Sequence, residues 1–284
     1  MKINRIFFVF GFMLFILLAC DKIEEPYFEY NGECGDASLP VPIKQILIEE
    51  FTGHKCGNCP EGDATMEMLK EIYCDHIIPV SIHAGFFAEI NTSGDKYTYD
   101  YRTEEGTEID EYFGGSAAGL PNAMINRIPE NESYSYNPSE WATMIAKLLE
   151  TKPIIDIDVE LSFDAQSREM DADIDVVFIE AINDNLMLSV YFVEDSIVSW
   201  QKDYELNPSD IENYSHNHVL RDAINGTWGD NLLNGNANSD DVVSKSYNYT
   251  INPEWDINNS SIVAFVYKNN TKEVIQATQK YLMP

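Results

Sequence analysis

Residues 46–60 read Ile46-Leu47-Ile48-Glu49-Glu50-Phe51-Thr52-Gly53-His54-Lys55-Cys56-Gly57-Asn58-Cys59-Pro60. The first part, from Lys44 to Phe51, is apolar enough to be a central strand of a sheet. A short turn then delivers a C-x-x-C. Pro60 stands where a first-turn proline is tolerated in a helix. Ala64, Met68 and Ile72 follow at i, i+4 and i+8, with Leu69 beside them, and predict the helix's buried stripe. A cysteine pair between a buried strand and a helix N-terminus has a chemical reason. Free N–H groups and the helix dipole favour thiolate at Cys56, which makes it the attacking sulfur. Cys59, one turn on, can resolve a mixed disulfide. The bare pair fits a redox dithiol, an inert disulfide or half of a zinc site, and no second C-x-x-C completes a zinc set.

Outward from this stretch, residues 77–83 predict a second strand and residues 122–126 a third. A short helix is expected near residues 107–113. Asn137 reads as an N-cap, with Pro138 at N1 and Glu140 at N3. Trp141, Ile145 and Leu148–Leu149 form that helix's buried stripe. After Pro153 the apolar period changes from 3.6 to 2. Ile155, Ile157, Val159, Leu161 and Phe163 alternate with acids and Ser162, and Met170, Ala172, Ile174 and Val176 do the same. Seven strands with one wet, acidic face over about 130 residues predict an antiparallel, immunoglobulin-like sandwich. The fold class expected is thus an α/β domain over residues 41–152, followed by an all-β sandwich domain over 153–284.

The N-terminus is read as targeting. Lys2 and Arg5 precede an apolar run from Phe7 to Leu18, too short to span a bilayer but suited to a signal segment. Leu17-Leu18-Ala19-Cys20 resembles the bacterial lipobox, which implies cleavage before Cys20 and acylation of it. Residues 1–19 are then signal peptide and 20–40 a lipidated tether. Its acidic start resembles the surface-export tethers of Bacteroidetes lipoproteins. Outside the cytosol disulfides persist. Cys74 lies fifteen residues beyond Cys59 on the expected helix, about 22 Å away, too far for a disulfide. That leaves Cys34 as the partner of Cys74.

The chain has 284 residues, 18 Lys plus Arg, 48 Asp plus Glu and a net charge of −30. That sign excludes the Lys/Arg patches by which nucleic acid and anionic lipid surfaces select their partners. The acid runs through both halves, as on heavily solvated globular surfaces.

Strand, C-G-N-C and helix resemble the thioredoxin superfamily over residues 43–150. The resemblance implies a buried acid six residues before the first cysteine, where Glu50 stands. It also implies a cis-proline opposite the dithiol, and Gly119-Leu120-Pro121-Asn122 matches that context. Lys55 replaces the usual Trp, and the long interval to Pro121 places an insertion at about 84–116, over the site. The run from Leu47 to Pro60, with Tyr214-Ser215-His216-Asn217-His218-Val219-Leu220-Arg221, resembles a narrower family: lipoproteins related to the 28-kDa outer-membrane protein of Bacteroidetes.

Two functions of different class follow. One is extracytoplasmic thiol–disulfide exchange on the outer membrane with protein thiols or disulfides. There Cys56 attacks, Cys59 resolves, Glu50 moves the proton and Pro121 shapes the peptide-binding edge. The other is a surface binding or adhesion lipoprotein that uses the same fold as a scaffold for a protein or glycan. Neither calls for a cofactor or a metal. His54 either tunes Cys56 or is merely exposed. His216 and His218 are expected on one strand face as polar packing, and residues 234–240 only partly match a calcium loop.

Overall fold

A computed structural model describes residues 42–283. Cys20 and Cys34 lie outside them, and so do the signal segment and the whole of the tether. Strand β1 (Ile46–Thr52) is buried along its whole length. Helix α1 (Cys59–Tyr73) carries the chain back to β2 (Ile77–His83), which pairs with β1 in parallel, Ile46 opposite Ile77. Helices α2 (Glu104–Phe113) and α3 (Gly115–Ala118) follow, and then β3 (Asn122–Ile125) runs antiparallel to β1 on its other side. Helix α4 (Pro138–Leu149) begins as expected, with the Glu140 carboxylate accepting from the Asn137 N–H.

The buried side of α1 differs from the expected stripe. Cys59, Gly62, Met66 and Leu69 face inward, while Met68 is 51% exposed. The helix is phased by its first residue. Once Cys59 is packed beneath the turn, the positions three, seven and ten residues later share its face. The apolar side chains of Met68 and Ile72 are left on the outer side.

The β-rich half does not make a separate immunoglobulin-like sandwich. Its strands are β4 (Ile155–Asp164), β5 (Glu169–Phe178), β6 (Ile182–Glu194), β7 (Ile197–Lys202), β8 (Asp210–His216), β9 (Val219–Ala223), β10 (Asp230–Ala237), β11 (Val242–Thr250), β12 (Ser260–Lys268) and β13 (Val274–Tyr281). Four of them extend the first sheet, in the order β13-β12-β6-β9-β2-β1-β3, and β10 pairs with β6. The join is narrow: Ser81 of β2 pairs with Val219, and its N–H donates to the His218 carbonyl. Strands β11, β5 and β4 form a second, three-stranded sheet, and β7 and β8 a detached hairpin.

The physical reason lies in β6 and β12. Strands β4, β5 and β11 alternate as the sequence predicts, with Asp171, Asp173 and Asp175 outward and bonded to Asn248, Ser246 and Ser244. But β12 is buried on both faces. Ile262, Ala264 and Val266 pack against β4 and β5 residues such as Ile157 and Ile174. Val263, Phe265 and Tyr267 join Leu47 and Phe51 of β1, Val80 of β2 and Ile109 of α2. A strand apolar on both faces needs cover on both. The first sheet therefore runs through the change of period at residue 153. The opposite face of β1 packs Ile46 and Ile48 on Met66, Leu69, Trp141 and Ile145 of α1 and α4.

The pairing of Cys34 with Cys74 is a prediction for peptide mapping. Without reductant, the Cys34–Cys74 cross-link should be recovered. Closing a loop of about 40 residues should stabilise the fold by roughly 3–4 kcal/mol. Free thiols at both positions would sink the pairing.

Candidate functional site around the C-G-N-C turn

Cys56 and Cys59 are joined as a disulfide, with their Cα atoms 5.4 Å apart. Cys59 opens α1, and the Cys56 carbonyl accepts from the Cys59 N–H. The Leu120–Pro121 peptide is cis, as the resemblance implies. Gly62, one turn past Cys59, shows how tightly the site is built: a Cβ there would stand 2.5 Å from Glu50 Oε1 and 2.8 Å from Pro121 Cβ. The sequence-expected residues Cys59, Glu50 and Pro121 therefore converge on the first turn of one helix.

Glu49 and Glu50 are neighbours in a strand and so point to opposite faces. Glu49 meets Arg127 in the core. Glu50 points to the α1 side, is buried, and its Oε1 has no hydrogen-bond partner within the described residues. Burial holds its carboxyl well above the usual range, and the charges of Asp63 and Glu67 push the same way. The folded chain thus keeps a proton that the unfolded chain loses near the ordinary value of 4.5. Above that value the unfolded state binds fewer protons, so stability falls as pH rises towards the folded value. Glu50→Gln should remove this dependence. Wild type and variant should melt alike near pH 4. At pH 8 the variant should melt roughly 3–6 °C higher. Equal melting at both pH values would mean that Glu50 is not held protonated.

An attacking Cys56 is expected to be the exposed sulfur of the pair, but it is 3% exposed, and Cys59 0%. The cover comes from two distant segments. From residues 84–116, the Phe87 carbonyl accepts from the Lys55 N–H, and Phe86 lies under the Lys55 ammonium. From the β7–β8 hairpin, the Gln201 side chain donates to the Cys56 carbonyl at 2.9 Å. The Tyr204 and Lys202 N–H groups donate to the Gly57 and His54 carbonyls, both at 2.9 Å. The Tyr204 ring lies where a Cβ on Gly57 would be, so any other residue there would displace that ring. No signal in the C-G-N-C stretch announces the hairpin, because its contacts are made about 145 residues away.

His54 is buried rather than exposed. Its Nε2 bonds to the Glu89 carbonyl, and its ring packs on Tyr97 and Tyr101. Burial lowers its pKa, so it stays neutral at pH 7 and adds no positive charge beside Cys56. His216 and His218 do not share a strand face. His216 ends β8 and packs with His83 on Tyr101, whereas His218 sits in the following turn with φ 58°. The imidazole of His218 faces Asp195 at 3.0 Å and Glu67 at 3.2 Å. Strand β10 takes in Asn234 and Asn236 by pairing with β6, so these residues are part of a sheet rather than of a calcium loop. Among the described residues no group of three or more His, Cys, Asp or Glu is placed to hold a metal ion.

Sequence reading gave no role to Arg127, Asp63 or Tyr214. Asp63 lies on α1 one turn after Cys59, and Tyr214 on β8 donates to it at 2.5 Å. The i, i+4 spacing from Cys59 to Asp63 was the available signal.

A family model described as outer membrane protein Omp28 matches residues 107–284. Among solved structures, HBP35 of Porphyromonas gingivalis superposes with a TM-score of 0.58 at 17% identity, over 84% of this chain and 75% of that one. A protein from Agrobacterium tumefaciens matches with a TM-score of 0.49 at 15% identity, over 84% of this chain and 94% of that one. A domain of the outer membrane lipoprotein Omp28 from Porphyromonas gingivalis matches at 23% identity and a TM-score of 0.32, over 46% of this chain and 90% of that one. The likeness to HBP35 is one of fold. No curated protein matches the chain. The family match takes in most of α2, then α3, β3, α4 and every strand after them, well over half of the sequence, and on it this protein belongs to the Omp28 family of outer membrane proteins.

Proposed function

We propose that the protein carries out extracytoplasmic thiol–disulfide exchange through Cys56 and Cys59, with residues 41–152 as its thioredoxin-like part and the strands of 153–284 as a β-sandwich layer built onto it. The observation that carries the reading is the convergence on one helix turn of Cys59, the unpartnered buried carboxyl of Glu50 and the Pro121 ring. An inert disulfide needs no buried acid behind it. A resolving cysteine does, because it must lose a proton before it can attack. Cys20 would hold the protein at the membrane by its lipid, and the partners would be protein thiols or disulfides.

The test is reduction of insulin disulfides by the mature protein with a dithiol as electron source. Turnover should appear with wild type and vanish in Cys56→Ser, with Cys59→Ser trapping a mixed disulfide. Absence of turnover, together with resistance of the pair to reduction short of unfolding, would remove the exchange reading. One observation favours the second reading, a binding lipoprotein with a structural disulfide: the burial of Cys56 under the β7–β8 hairpin.

A further inference from the structure

Behind α1, on the Glu50 side of the sheet, lies a cavity of about 370 Å³. Glu50, Asp63, Glu67, Ser81, Tyr214 and His218 supply its polar walls. A cavity of this size with several convergent polar groups suits water. Its groups come from every element packed around it: Glu50 from β1, Asp63 and Glu67 from α1, Ser81 from β2, Tyr214 from β8, and His218 from the turn before β9. Asp195 and Lys70 stand behind His218, Lys70 Nζ being 3.5 Å from its Nε2.

We propose that Asp63 is the positioning residue through which Glu50 exchanges its proton with solvent, the cavity being the route and the Glu67–His218 pair its mouth. The proposal rests on the thiol–disulfide reading above. In that reaction the Cys56 thiolate attacks a substrate disulfide, forms the Cys56–substrate bond and expels one substrate thiolate. The Cys59 thiol then gives its proton to the Glu50 carboxylate and attacks Cys56 Sγ. The Cys56–Cys59 bond forms and the second substrate thiolate leaves. The substrate disulfide is reduced and the dithiol oxidised. Glu50 now holds a proton, and α1 and the sheet wall it off from bulk water. Among the described residues, the cavity side offers it Asp63 and Glu67 as acceptors.

The three acids along the cavity are graded. Innermost, Glu50 is held well above its usual range by burial and by its acidic neighbours. Midway, burial pushes Asp63 up to about 6, against the lowering effect of the Tyr214 hydroxyl bond. Outermost, Glu67 has half of its side chain exposed and is held below its usual value, first by its hydrogen bond to His218. Burial alone would lower His218, but its bonds to Asp195 and Glu67 outweigh that and raise it. Each outward step is uphill in proton affinity, so net release from Glu50 is drawn by the solvent as sink, and the weaker bases Asp63 and Glu67 pass the proton on without trapping it. Asp63 is the step a single substitution can remove. In Asp63→Asn the side-chain amide oxygen can still accept from the Tyr214 hydroxyl, so the local packing is kept while the titrating group is lost.

The experiment mixes the reduced mature protein with an excess of a chromogenic aromatic disulfide and follows both thiolates released. In Asp63→Asn the first release, by Cys56, should keep its rate. The second, by Cys59, should slow about tenfold at pH 7, because Glu50 must first lose its resting proton through Asp63 before it can accept that of Cys59, an effect within the range that proton transfer contributes. Its acid limb should move to lower pH, because a negative neighbour of Glu50 is gone. Asp63→Glu should restore the second rate. An unchanged second phase, or equal slowing of both phases, overturns the proposal, since a structural role would not separate the two. If wild type shows neither phase, the exchange reading itself fails and takes the relay with it. Carbon-13 titration of the Glu50 carboxyl separates the cases: the apparent pKa should fall in Asp63→Asn, and an unshifted titration overturns the coupling whatever the kinetics show.

Discussion

Arg127→Met should cost about 3–5 kcal/mol of stability, because it leaves a buried carboxylate without its partner. Arg127 is 0% exposed and Glu49 1%. Two parallel hydrogen bonds of 2.7 Å join guanidinium to carboxylate, and a third, of 3.0 Å, reaches the Tyr191 hydroxyl. The rings of Phe113, Phe265 and Tyr267 surround the cation at 5.0–5.4 Å. These partners come from β1, α2, β6 and β12, so one side chain ties together elements on either side of residue 153. The loss should appear as a fall in melting temperature of roughly 10 °C. Both halves should melt together, by near-ultraviolet and far-ultraviolet signals alike. Glu49→Leu with Arg127→Met should recover much of the loss, since a matched apolar pair leaves no charge stranded. If Arg127→Met melted residues 46–149 alone and left the later strands at the wild-type temperature, the shared core would be refuted.

The second large effect is expected at the thiol. In the reduced wild-type protein, Cys56 should alkylate far more slowly than a free thiol at the same pH, because the β7–β8 hairpin must open first. Gln201→Ala removes the amide that donates to the Cys56 and Lys202 carbonyls, two bonds worth about 0.5–1.5 kcal/mol each. At 1.4 kcal/mol per factor of ten, alkylation of Cys56 should then speed up about 10–100-fold. Adding Tyr204→Ala, which uncovers Gly57, should raise it further. Cys59 should stay slow in every variant, since it lies within α1 beneath the turn. Alkylation of wild-type Cys56 at the free-thiol rate would show that the hairpin does not guard it.

These two residues mark what local sequence can and cannot carry. The strand, turn and helix of residues 46–73, the capped start of α4 and the wet alternation of β4 and β5 were legible, because each is set by propensity and period within a dozen residues. Glu50 was legible as the acid of the site through the resemblance, which places an acid six residues before the first cysteine; strand alternation then explains why Glu49 points the other way. What occupies the opposite face was not. Arg127 carries no local mark of burial; its charge reads as surface until Glu49 is brought to it from 78 residues away. The hairpin over Cys56 escaped for the same reason.

By itself, the sequence determined the local elements and the position of the dithiol at a helix start, and the resemblance it carries pointed to the acid behind it. Tertiary structure alone decided that β6, β9, β12 and β13 would continue the first sheet. Period 2 says only that successive side chains point to opposite faces. In β12 both faces are apolar, and which partner covers each depends on residues far along the chain. It likewise decided that Cys56 is closed over and that Glu50 opens onto a cavity walled by Asp63, Tyr214 and His218. Burial and proton affinity are properties of surroundings, and those surroundings are assembled from segments that sequence spacing does not bring together.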